Sequence, residues 1–137
     1  MSDEAQHDFG DATTDAAAEV YEASTPIFEG ILKEVRELSK KKPDATMSAG
    51  KVRIVNRILA DLLEILRDQP AGKYLEVLDD QALPQVSDAV LTMVQFESAL
   101  QSFRGRYHRY HPYFHDRLWV TAELIEAAKS ENDEEER

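Results

Sequence analysis

The chain has no cysteine. That excludes disulfides, thiolate metal sites and cysteine nucleophiles, and it suits a reducing compartment. Glycine and proline are scarce, five of each in 137 residues, so few positions can break a helix. No apolar run approaches the roughly 20 residues that cross a bilayer. The most apolar stretch, "RILADLLEIL", is interrupted by Asp61 and Glu64. The first residues show neither the basic nor the apolar region of a secretory signal, so a cytoplasmic location without membrane association is expected. An alternating apolar–polar pattern, an Asn-Gly hairpin turn and an internal repeat are also missing, and almost no strand is expected.

Basic residues are absent from the first 24 positions, which carry seven acids (Asp3, Glu4, Asp8, Asp11, Asp15, Glu19, Glu22). Residues 123–137 carry seven acids and two bases. Between them, residues 25–122 hold fourteen bases and thirteen acids, so the body is nearly neutral although the formal net charge is -11. The ends therefore read as solubilising, largely disordered acidic tails, 1–24 and 130–137, around one domain at 25–129. A low pI argues against nucleic acid, but a neutral body weakens that objection.

What is present is helical periodicity. In "ASTPIFEG", Thr25 suits a helix cap and Pro26 the first helical position, where its missing N–H costs nothing. Phe28, Ile31, Val35 and Leu38 follow at 3-4-3 spacing, and "SKKKPD" ends the helix with cations, which complement its dipole. A second helix from about Ser48 to Asp68 has a wide apolar face of Val52, Val55, Ile58, Leu59, Leu62, Ile65 and Leu66. A short helix over Lys73–Leu78 is expected. A long helix then starts near Ser87, with Val90, Met93, Val94, Phe96, Leu100, Phe103 and Tyr107 as its stripe. Pro112 pushes residue 111 out of the helical region, so a last helix is expected from Pro112 to Lys129. The fold class is all-α: a single helical bundle of about four main helices with short loops.

Within it, "RGRYHRYHPYFHDRLW" (Arg104–Trp119) gathers four arginines, three of the four histidines and five of the eleven aromatics. Phe103, Tyr107, Phe114, Leu118 and Trp119 read as core, with arginine stems lying over them. Arg104, Arg106 and Arg109 cannot all be buried. With Tyr110 and Tyr113 they form a candidate binding surface for carboxylates or phosphates. In an up-down bundle the loop bearing Lys41, Lys42 and Arg53 shares that end. The expected partner is an acidic protein surface, a nucleic acid or the chain's own acidic tails, and a homodimer is compatible with the pattern. His108, His111 and His115, spaced i, i+3, i+7, form an alternative metal site. No cofactor is expected.

Arg106 and His111 have four residues between them, at the end of a long helix in a small all-α domain. This resembles the signature of the HEPN ribonucleases. The resemblance covers about six residues, and Tyr107 stands where that family has a polar residue. It implies that His111 handles protons and Arg106 holds the scissile phosphate. "SAGK" near residue 50 lacks the glycine and spacing of a phosphate loop, and no Gly-x-Ser-x-Gly elbow or dinucleotide fingerprint is present. The sequence thus favours a non-enzymatic interaction or regulatory module, of adaptor, antitoxin or immunity type, over this small metal-independent ribonuclease.

Overall fold

The computed structural model describes residues 9–135, and it is mostly helical. Among these residues are four α-helices: α1 (Asp15–Lys41), α2 (Ala49–Leu66), α3 (Val86–Tyr107) and α4 (Ala122–Glu135). A 3-10 turn lies at Pro70–Tyr74, and a two-stranded antiparallel hairpin, β1 (His108–His111) and β2 (Asp116–Trp119), separates α3 from α4. No helix among the described residues is long and apolar enough to cross a membrane. Contacts divide the chain into two compact units, Val20–Ser102 and the pair of segments Met1–Glu19 and Phe103–Arg137.

Four expectations are corrected. First, α1 starts eleven residues before the expected position, so Thr25 and Pro26 lie inside it. Thr14 is the true cap: its hydroxyl accepts the Ala17 N–H at 3.1 Å. The alanine-rich "DAAAEVYEAS" then propagates the helix. An interior proline forfeits one backbone hydrogen bond. Burial on both sides of it, of Ala18, Tyr21 and Ser24 before and of Phe28, Leu32 and Val35 after, holds the helix through that defect. Of the expected tail at 1–24, residues 15–24 are therefore helix, and residues 1–8 lie outside the described residues. At the other end, α4 continues to Glu135, so only residues 136–137 of the expected tail lie outside the description.

Second, the short helix is a 3-10 turn three residues earlier than expected. Gly72 is required there, because a Cβ would collide with the Leu66 and Arg67 carbonyls. Third, Pro112 does not start a helix. It opens the hairpin turn, and the last helix begins only at Ala122. Fourth, the all-α class holds only in part: the chain is mostly helical, with one small two-stranded hairpin.

In the unit 20–102, Ser48 caps α2 by accepting the Lys51 N–H at 3.2 Å. The expected face of α2 is buried at Val52, Val55, Ile58, Leu59, Leu62 and Leu66. On α3 the buried positions are Val86, Ala89, Met93, Phe96, Ala99 and Leu100. The 42–48 connection is tied to the residues entering α3: the Met47 N–H donates to the Pro84 carbonyl at 2.8 Å and the Val86 N–H to the Ala45 carbonyl at 2.8 Å. Asn56 holds the segment before α3 through both halves of its amide, donating to the Leu78 carbonyl and accepting the Leu78 N–H, each at 2.8 Å. Arg36 and Glu97 pair at 3.3 Å.

Candidate functional site

The quoted basic-aromatic stretch builds the hairpin. Gly105 weakens the end of α3, and the following "YHRYH" is rich in residues that favour a pleated strand. His111 cannot stay helical before Pro112. The turn closes with the Phe114 and His115 N–H groups donating to the His111 carbonyl at 3.2 and 2.9 Å. His115 takes the left-handed conformation, φ 55°. The register pairs His108 with Trp119, Arg109 with Leu118, Tyr110 with Arg117 and His111 with Asp116. Alternate residues share a face, which separates the roles of the stretch. His108 sets its ring edge-on to Trp119 at 5.2 Å. Arg109 and His111 occupy the opposite face.

That face is occupied by the chain's own N-terminal segment. The Phe9 carbonyl accepts from Arg109 Nη2 at 3.1 Å and is hydrogen-bonded to His111 Nε2 at 3.0 Å. Nδ1 of the same ring accepts the Tyr113 N–H at 3.2 Å. An acceptor at Nδ1 fixes the neutral tautomer with the proton on Nε2, which then donates to Phe9. The Phe9 ring lies among His111, Tyr113 and Phe114, with centroids at 5.7, 5.1 and 6.2 Å. Gly10 follows at φ 74°, and a Cβ there would sit 3.0 Å from Arg109 Nη2. Glycine suits the positive-φ turn, and it spares the guanidinium the small shift that a Cβ would force. Asp11 then accepts from Arg106 Nε at 3.0 Å. This hydrogen bond, followed by the nearby Tyr107, raises the Arg106 pKa and secures its charge. Beyond it, Thr13 forms a parallel bridge with Thr121: its N–H donates to the Val120 carbonyl at 3.0 Å, and its carbonyl accepts from Ala122 at 2.8 Å.

The expected site residues are thus partly assembled. Arg106, Arg109 and Tyr113 border the seat of Phe9–Asp11. Tyr110 is 53% exposed. Arg104 is exposed and makes no ion pair among the described residues. Lys41, Lys42 and Arg53 belong to the other compact unit. There Lys41 lies in the last turn of α1, and Arg53 lines a shallow pocket with Asn56, Arg57 and Asp80.

The three histidines of the metal alternative are not brought together. Among the described residues no group of three His, Asp or Glu side chains could hold a metal ion. His108 and His111 are in a strand at positions of opposite parity, His115 is in the turn, and both nitrogens of His111 are already hydrogen-bonded. Phe9, Gly10, Asp11 and Thr13 were missed by sequence reasoning. The available signal was "DFGD": a phenylalanine flanked by acids, in a segment otherwise short of apolar side chains. The chain matches no protein-family model, no curated protein and no solved structure, so its own side chains carry the functional reading.

Proposed function

We propose that this chain is a non-enzymatic helical interaction module, and that its hairpin receives an acidic peptide segment bearing an aromatic side chain. The supporting observation is the seat of Phe9–Asp11. One aromatic ring enters a cage of His111, Tyr113 and Phe114, one main-chain carbonyl is held by Arg109 and His111, and one carboxylate meets Arg106. All three contacts are made by a peptide segment: a main-chain carbonyl, an aromatic side chain and a carboxylate two residues further on. In this reading the N-terminal segment is an intramolecular occupant, and a partner segment of the same chemistry takes its place. A cytoplasmic setting and self-association are compatible with it.

Nothing in the geometry favours the ribonuclease alternative. His111 is 6% exposed and has no open nitrogen, and Arg106 is engaged by Asp11. A general base needs a free lone pair within reach of its proton.

The test is fluorescence anisotropy with a labelled peptide of residues 6–14. Asp11→Lys sets like charges beside Arg106 and loosens the chain's own segment. The Asp11→Lys protein should bind the peptide more tightly than the native chain, and salt should weaken that binding. Adding Arg106→Gln should abolish it. Failure of the peptide to bind while a single-stranded oligonucleotide does would transfer the reading to nucleic acid. RNA cleavage lost in His111→Ala would restore the ribonuclease.

A further inference from the structure

We propose that the groove between α1 and α2 is a two-fold interface with a second copy of this chain. It lies entirely within the unit 20–102 and does not depend on the hairpin reading. The cavity is about 650 Å³. Its floor is Val35, Met47 and Val55, at 7, 1 and 2% exposure. Ile31 and Leu38 form part of its wall. Its rims are Ile27 on α1 and Ile54 on α2, which are 57% and 58% exposed. Isolated exposed isoleucines are ordinary, but two at the borders of one apolar groove, one on each helix, form a patch of the kind that marks an interface.

Three observations select a second copy as the occupant. The first is charge. Only two charged side chains line the groove, Glu34 on α1 and Lys51 on α2, and neither makes an ion pair among the described residues. They are opposite in sign and on opposite walls. The second is topology. The short 42–48 connection makes α1 and α2 an antiparallel helical hairpin, and two such hairpins stack face to face as a four-helix layer. A two-fold axis running along the groove lays α1 of each copy on α2 of the other. It brings Glu34 toward Lys51 of the second copy twice over, and it sets the Ile27 and Ile54 ridges against the opposing groove. A two-fold interface is self-complementary in this sense.

The third observation is Gly30. It sits on the groove lining, in the interior of the 27-residue α1. A Cβ there would meet nothing within 4 Å. A mid-helix glycine is about 1 kcal/mol less favourable than alanine, and no contact inside the chain explains its presence. Across an interface it leaves a notch for an incoming side chain.

The test is sedimentation velocity on the full chain over roughly the micromolar to hundred-micromolar range, where moderate interfaces dissociate. The native chain should reach twice the monomer mass. Ile27→Asp with Ile54→Asp should leave a monomer whose circular dichroism is unchanged. Glu34→Lys and Lys51→Glu should each weaken the dimer about tenfold, and combining them should restore it to near the native affinity, because the pair is then exchanged rather than broken. A chain that stays monomeric throughout overturns the proposal, as does a dimer indifferent to both isoleucine changes. A double charge reversal no better than the single ones rejects the two-fold pairing. Binding of an added amphipathic helix by a monomeric native chain would assign the groove to a different partner and also count against it.

Discussion

Phe9→Ala tests whether the N-terminal segment is part of the folded core or only rests on it. Phe9 is 6% exposed and touches three rings. Burying a phenylalanine removes roughly 150–250 Å² from water, or about 4–6 kcal/mol at the usual coefficient. Compactness of the denatured chain lowers this by roughly 10–40%, and alanine keeps part of the burial, which leaves about 3 kcal/mol. The contacts at Asp11 and Thr13 remain in the variant, so the segment keeps its direction while losing its anchor. The assay is urea unfolding followed by Trp119, the only tryptophan. Its ring packs on Phe103 at 5.9 Å and on His108 at 5.2 Å, in the same compact unit as Phe9. The midpoint should fall with little change in slope, the sign of lost stability without a changed denatured state. A loss below about 1 kcal/mol, the size of an ordinary surface change, would refute the reasoning. Phe9 would then open locally at little expense, and the seat would be an adventitious contact.

Leu62→Ala should destabilise by about 2–5 kcal/mol in chemical unfolding, because Leu62 is fully buried on α2 and its truncation leaves a cavity; a loss under about 1 kcal/mol would move the core centre elsewhere. Thr25→Val should raise the melting temperature. The Thr25 hydroxyl is buried inside α1 without a hydrogen-bond partner, and removing such a group relieves a desolvation penalty of about 1–3 kcal/mol; a lowered melting temperature would show that the hydroxyl is bonded. Asp79 accepts the Ala82 and Gln81 N–H groups, which lower its pKa below the usual 3.8. A lowered folded-state pKa stabilises above the unfolded value and loses that effect as pH falls through the folded one. The stability gap between the native chain and Asp79→Asn should therefore be constant above about pH 5 and narrow in acid below it; a gap that stays constant in acid would show that the Asp79 charge plays no part.

The sequence was most legible where one signal acts over short range. The α2 face from Val52 to Leu66 has a single strong period, and all six residues buried on it were expected. The Ser48 start was also readable, because a serine before an apolar run has one dominant use. Proline was read less well. Pro26 matches a helix start, and only the burial of Tyr21 and Ser24 shows that the helix already exists there. Pro112 was read as a break or a new helix start, but α3 already ends at Tyr107 and Pro112 opens the hairpin turn. The helix and the hairpin turn that can follow such a break are not separated by local preference, and here pairing across four residues decided for the hairpin.

The sequence by itself determined a mostly helical chain, an α2 core face, and a cluster of arginines and tyrosines too polar to be buried whole. These follow from periodicity and from the desolvation of charge, which act on each residue wherever it lies. Only the tertiary structure decided what that cluster holds. His111 and Phe9 are 102 residues apart, and so are the two ends of their hydrogen bond. No local pattern announces a carbonyl that distant as the partner of a histidine. Strand pairing put Arg109 and His111 on one face, the positive φ of Gly10 turned the acidic segment onto it, and these long-range contacts made a presumed tail part of the fold.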